Sequence, residues 1–244
     1  MAVEIIEIVR RSTKGMTEPF ICRGADDAIY FVKGHGAGRL SLVKEWICGN
    51  LAKILDLPIA PFEIAEISEE LMDASSDMRL SELGTGPAFG SRQREFADDI
   101  LFSQMDQVPL RSRRDILIFD RWIRNYDRTL SDQGGNPNLL WAIDEGAVVM
   151  IDHNSAFDQP VDGQTFAASH IFGKEFLPTC HDAVEIAAYR QRLDGALGRW
   201  QDIVSSVPRA WLFLDALETM PINFNFDDAF EVLCQHREEG FWSW

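Results

Sequence analysis

Asp127, Asn136, Asn138 and Asp152 are the residues whose types and spacing could do chemistry together in this 244-residue chain. They lie within IRNYDRTLSDQGGNPNLLWAIDEGAVVMIDH, residues 123–153. A carboxylate can accept or orient a hydroxyl proton. A second carboxylate and an amide oxygen together suit a hard divalent cation such as Mg²⁺. Those are the parts that phosphoryl transfer needs. Asn, Asp, Gly and Pro are also the usual turn formers, so the chemistry depends on which elements carry these residues.

Two apolar runs, LLWAI and AVVMI, flank the turn signal DEG and predict a β-hairpin. A turn centred on Glu145 places Ala147 opposite Ile143 and Asp152 opposite Asn138, so two polar ends of an apolar hairpin arrive together. Asp127 enters from the loop after a helix predicted over 113–124, with Asn125 as its left-handed stop. Upstream, RQREFADDILFSQM (92–105) also reads as helical.

The first third reads as strands over 3–9, 20–23, 28–33 and 61–67, with a helix over 40–57 that stops ahead of Pro58. Lys33 ends the strand AIYFVK, and Glu45 shares a helical face with Leu42, Gly49 and Ala52. GHGAG (34–38) reads as a flexible connector, and the loop-rich stretch 68–91 as a boundary. Residues 153–180 read as a long loop, in which Ser155, Thr165 and Ser169 are either plain loop residues, the commoner case, or phosphorylation sites. Ile186, Leu193, Leu197, Trp200 and Val204 then form an amphipathic stripe, and Pro208 suits the start of another helix.

The pattern N-x-D-R…N-x-N-L-L followed by V-x-M-I-D-H resembles the catalytic and metal-binding loops of HipA-like kinases, relatives of the protein kinases and the phosphatidylinositol 3/4-kinases. FVKG…E…LAKILDLPIAP resembles the family's lysine strand and following helix. The resemblance implies an α+β, two-lobed protein-kinase-like fold. Its N-lobe would be an antiparallel sheet plus one helix, and its C-lobe mostly helical with a catalytic hairpin. The boundaries implied are 1–70 for the nucleotide-binding lobe, 71–91 for the connection and 92–244 for the catalytic lobe.

The resemblance also implies roles. Asp127 is the catalytic aspartate and Asp152 the metal aspartate. The hairpin register points to Asn138 as the metal asparagine, and direct motif alignment points to Asn136. Lys33 would hold the α/β-phosphates of ATP and Glu45 would orient it. Thr13, Gly15 and Thr17, in the loop 11–19 between the first two strands, would cover the phosphates. Glu66 and Ile67, in a segment expected between the lobes, would meet the adenine. ATP and Mg²⁺ are the implied cofactors, and a Ser/Thr hydroxyl of a protein or a small molecule the acceptor. The sequence departs from the pattern where SDQGG pushes Asn-Pro-Asn downstream, at Thr129 where many relatives have His, and at His153-Asn154 in place of Phe-Gly. Those departures raise a second reading, a pseudokinase-like binding module.

Composition sets bounds on all of this. With 23 basic and 39 acidic residues the net charge is −16, which disfavours direct contact with nucleic acid or an anionic membrane. Four cysteines at 22, 48, 180 and 234 match no metal spacing, and reduced thiols in the cytoplasm are expected. No signal peptide and no membrane span are expected.

Overall fold

The computed structural model describes residues 2–13, 18–74 and 78–243, and these divide into two compact units. One unit comprises residues 1–46, 60–95 and 207–224; the other comprises 47–59, 96–206 and 225–244.

The first unit is a closed five-stranded barrel of β1 (Ala2–Arg11), β2 (Phe20–Gly24), β3 (Ile29–Lys33), β4 (Phe62–Ile67) and β5 (Gly86–Arg92), ordered β1-β2-β3-β5-β4. The pairs are antiparallel except β1 with β4, which run parallel with Val3 opposite Ala65. The antiparallel sheet expected from the sequence is thus closed into a barrel, by a strand in a stretch that reads as loop-rich. GPAFGSR carries too little bulk and too much Gly and Pro to read as a strand. Its position between β3 and β4 explains that composition: a Cβ on Gly90 would sit 3.1 Å from the Ala65 methyl, so the central strand keeps a glycine for close approach.

Alternate residues fill the barrel. Ile5, Phe20, Cys22, Tyr30, Val32, Ala65, Ile67 and Ala88 form its core with Leu80 and Leu83. Fully burying each large apolar side chain there contributes about 1.5–3 kcal/mol. The helix α1 (Arg39–Ile54) follows β3. It ends short of the predicted Leu57, because Asp56 turns left-handed (φ 56°) while the Leu57 and Asp56 N–H groups donate to Ala52 and Lys53. GHGAG is not a free connector: residues 35–37 form a 3₁₀ turn, and the His35 N–H donates to Leu83 O at 3.1 Å. A short helix α2 (Glu69–Asp73), capped by Ser68 at the Leu71 N–H, leads from β4 towards β5. Residues 207–224, expected in the catalytic lobe, belong here. Trp211 is fully buried, stacks edge-on against Trp46 at 6.0 Å and donates its indole N–H to Pro87 O.

The second unit is built on α3 (Leu110–Trp122), whose residues 116–122 are all buried, as for a helix packed on every side. Trp122 donates to Leu233 O at 2.7 Å and so ties the C-terminal segment to this helix. Residues 92–105, expected to be helical, instead hold the end of β5, the strand β6 (Ala97–Asp99) and a 3₁₀ turn. β6 joins the sheet β6-β7-β8 with β7 (Leu139–Ala142) and β8 (Ala147–Met150). Tertiary pairing of Ala97 with Ala142 overrides the local helical pattern. The long loop expected over 153–180 holds α4 (Gly163–Ser169) and α5 (Phe176–Cys180). The amphipathic stripe lies on α6 (Ala183–Leu197) and α7 (Trp200–Ser205), where Leu193, Leu197 and Trp200 are buried. Pro208 precedes a 3₁₀ turn rather than an α-helix, and α8 (Phe226–Cys234) ends the regular helices. No helix among the described residues is long and apolar enough to cross a membrane.

Candidate active site

Two constellations carry the candidate chemistry, one in each unit. In the barrel unit, alternation along β3 turns Lys33 away from the Val32 side, and α1 presents Glu45 to it. The Lys33 ammonium donates to Glu45 Oε1 at 2.5 Å, with Lys33 8% and Glu45 2% exposed. Two charges this dry are tolerated because each neutralises the other. Removing one would leave the partner uncompensated, at a cost of about 3–5 kcal/mol. Thr13 is exposed just after β1, and the Ser12 N–H donates to Pro19 O across the base of the loop. Gly15 and Thr17 lie outside the described residues. Glu66 and Ile67 are both in β4 of the barrel unit, with Ile67 buried in its core.

In the second unit, the turn after α3 delivers Asp127. The left-handed residue there is Arg124 (φ 51°), not Asn125 as expected. The Asn125 and Arg124 N–H groups donate to Asp120 O and Arg121 O, closing the helix end. Asn125 is needed for its side chain instead: fully buried, it donates Nδ2 to Asp120 Oδ1 at 3.0 Å.

The hairpin register differs by one residue from expectation. Ala147 pairs with Ala142 rather than Ile143, because the loop Ile143–Gly146 has an even number of residues and closes with Gly146 N–H on Ala142 O. The ladder therefore continues from Asn138 to Ile151, whose N–H donates to Asn138 O at 3.1 Å, and not to Asp152. Both flanking residues adopt left-handed backbone, Asn138 at φ 46° and Asp152 at φ 55°. That conformation costs on the order of 1–2 kcal/mol for an L-residue and is most accessible to Asn and Asp.

The inserted SDQGG forms its own small turn, with Ser131 bridged to Gly134. The Thr129 N–H donates to Asn136 O at 2.9 Å, and the Thr129 hydroxyl accepts from the Asn136 N–H at 3.3 Å. A Cβ on Gly135 would lie 2.5 Å from Thr129 O, so a glycine is required where the chain returns. Residues 130–135 are thus looped out, and Asn-Pro-Asn comes back beside Asp127. Asn136 Nδ2 and Asn138 Nδ2 both lie 3.4 Å from Asp127 Oδ2. Asn136 is exposed, whereas Asn138 is 8% exposed.

Asp127 Oδ1 is buried and has no hydrogen-bond partner among the described residues. Burial pushes the Asp127 carboxyl above its ordinary value; the Ser155 hydroxyl and Arg128 pull the other way, and the charges of Asp152 and Asp120 push it up again. Asp152 is thus near enough to Asp127 to be felt electrostatically. No cluster of three or more His, Cys, Asp or Glu side chains suited to a metal occurs among the described residues. The oxygens on offer are two carboxylates and an amide, an incomplete, hard set that fits a Mg²⁺ sharing its remaining positions with water and phosphate oxygens.

Beneath these residues runs a network that the sequence reading missed. Asp120 is wholly buried and accepts from Arg128 Nε at 2.6 Å and Nη2 at 3.4 Å, from Asn125, and from His170 Nε2 at 2.9 Å. Burial alone would raise the Asp120 carboxyl, but Arg128 and His170 outweigh it and hold the group well below the usual carboxylate range. Arg128, also wholly buried, donates to Asn138 O and, at 3.3 Å, to Pro137 O. His153 fills the position after Asp152 as a buried ring, edge-on to Phe119 at 5.8 Å, with Nε2 3.3 Å from Arg128 Nη2. One local signal was present in the sequence: a charged Asp120 inside the apolar run ILIFDRW must be partnered if it is buried. His170 gives no such signal.

The chain belongs to the HipA-like kinase family, whose model matches residues 5–244. Membership makes it a kinase-type phosphotransferase that uses ATP. Among solved structures it is similar to the Helicobacter pylori proinflammatory kinase CtkA, at 9% identity over 99% of this chain and 95% of that chain, with a TM-score of 0.46. It is also similar to the open conformation of CtTel1, at 14% identity over 93% of this chain and 11% of that chain, with a TM-score of 0.35. A search of curated proteins finds no match.

Proposed function

We propose that this protein transfers the γ-phosphoryl group of ATP, with Mg²⁺, to a Ser or Thr hydroxyl of a protein. The observation that carries the reading is the Asp127 carboxylate. One oxygen faces two amide donors, and the other is buried with no hydrogen-bond partner within 3.5 Å among the described residues, on a group whose proton affinity is raised. Such an oxygen is suited to accept the proton of an incoming hydroxyl. The acceptor oxygen then forms a bond to the γ-phosphorus, the bond to the β–γ bridging oxygen breaks, ADP leaves, and the proton rests on Asp127. Asn138, buried and held through its own carbonyl, and Asp152 would hold the metal, which when bound neutralises charge on the transferring phosphate. Lys33, oriented by Glu45, would hold the α/β-phosphates, and Thr13 with Gly15 and Thr17 would cover them.

Two departures from the family pattern are compensated. The insertion is looped out, and His153 packs as an aromatic ring beside Phe119. Both support an active enzyme over a pseudokinase-like module. The test is ATP consumption and phosphotransfer with ATP and Mg²⁺, alongside thermal shift. Asp127→Asn should lower turnover by about 10²–10⁴-fold, the usual value of a positioned base, and leave the melting temperature unchanged or raised. Unchanged transfer in that variant would remove Asp127 from the role, and nucleotide stabilisation without transfer in the wild type would favour the binding module. A small-molecule acceptor is recognised if transfer occurs only to a hydroxyl compound of low mass.

A further inference from the structure

The polypeptide between the end of α3 and the start of β7 is almost entirely irregular, so its side chains must be placed by something other than a backbone ladder. Asp120 supplies that placement. It lies on α3, and both Asn125 and Arg128 of the irregular segment are bonded to its carboxylate. The far end of the Arg128 fork grips the carbonyls of Pro137 and Asn138, which fixes where the Asn138 side chain leaves the chain. A guanidinium can do this because its donors are held in one rigid plane.

His170 completes this arrangement from a distant part of the chain. The Phe172 N–H donates to His170 Nδ1 at 3.0 Å, so Nδ1 is the acceptor and the ring proton sits on Nε2. Nε2 then donates to Asp120 Oδ2, the same oxygen that Arg128 Nε holds. Burial lowers the proton affinity of the ring, against the pull of Asp120. Next to it the Ile171 N–H donates to Arg128 O at 3.0 Å, so the turn after α4 touches both ends of the Asp120–Arg128 pair. A charged pair already neutral in itself does not need a further neutral donor for charge balance. What the imidazole adds is direction: it stops the carboxylate rotating and so holds the plane of the Arg128 fork.

We propose that His170 is a positioning residue for the phosphoryl-transfer site, setting the side chain of Asn138 through Asp120 and Arg128. The proposal rests on the reading of Asn138 as a metal-holding residue. Groups one shell out from a metal ligand typically alter metal affinity by about 10–100-fold when lost. Two substitutions separate the ring's nitrogens. His170→Gln keeps a donor at the Nε2 position for Asp120. His170→Asn keeps an acceptor for the Phe172 N–H and gives up Asp120.

The experiment uses the full chain, labelled with ¹⁵N-asparagine, and follows the Asn138 side-chain amide by NMR, assigned with Asn138→Ala. In parallel, Mn²⁺ binding is titrated in the presence of a non-hydrolysable ATP analogue. His170→Asn should move the Asn138 amide signal and weaken Mn²⁺ binding about 10–100-fold, while His170→Gln restores both to within a few-fold of wild type. Unmoved Asn138 signals in both variants overturn the proposal. So do equal losses in both that follow their fall in melting temperature, which would mark His170 as a core residue only. A wild-type protein that binds no Mn²⁺ with the analogue defeats the kinase reading instead. The NMR comparison of the two variants still decides the coupling in that case.

Discussion

Both units bury an ion pair, but the two pairs are built differently. Lys33 and Glu45 meet as a compact ammonium and one carboxylate oxygen. Arg128 and Asp120 meet as a planar fork on a carboxylate that two further side chains also hold. A lysine head on a flexible stem can turn some of its donors to a ligand and keep one on its partner. An arginine with each end bound to protein has a fixed direction and serves as a brace. Burial alone therefore does not say what a charge is for; the geometry of the charged group matters as well.

The comparison can be broken by experiment, beginning with the brace. Asp120→Ala leaves Arg128 buried without its carboxylate and should cost about 3–5 kcal/mol, read as a lower urea midpoint. A loss below 1 kcal/mol would show that Arg128 does not depend on Asp120. For the other pair, Lys33→Met alone should destabilise by a similar amount, but the double variant Lys33→Met/Glu45→Leu should recover most of it, because apolar replacement of a whole buried pair is often neutral. The double variant should still lose nucleotide-dependent thermal stabilisation. A double variant that folds well and binds ATP like wild type would show that Lys33 has no role in holding phosphate.

Acid sharpens the contrast with a smaller effect. The Asp120 carboxyl is depressed in the folded state, so its contribution is fully present above the unfolded value of about 3.9 and lost as the pH falls below it. The urea midpoint should decline below about pH 4, and the decline should be shallower in Asp120→Asn. The smallest effect belongs to the insertion. Deleting 131–134 leaves Leu130 and Gly135 to close the Thr129–Asn136 bridge and should change stability by less than about 1 kcal/mol. Loss of nucleotide binding in that deletion would show that the protrusion does more than connect.

Much of the barrel was legible because β1 to β4 are rich in β-branched and aromatic residues bounded by turn formers, which favour strands. β5 was not, since a strand squeezed between two neighbours selects small residues such as Gly90 and Ala88. Lys33, Glu45, Asp127, Asn138 and Asp152 could be singled out because local elements carry them in a recognisable order. The hairpin register was missed by one residue, as turn residues alone do not distinguish an odd loop from an even one. His170 was invisible for a different reason: 50 residues separate it from Asp120, and only the folded path of the segment around α4 brings them together. Trp211 is a similar case, joined to the barrel unit by tertiary packing that no local pattern announces.

The closure of the barrel also restricts how this unit can meet other proteins. Every strand from β1 to β5 has a neighbour on both sides, although the β1–β4 seam joins only Ala2–Glu4 to Ile64–Glu66 and the rest of β1 pairs with β2. Where strands are paired on both sides, an extended peptide cannot dock by adding itself as another strand. Over those strands a partner of the barrel unit must be read through its side chains and loops.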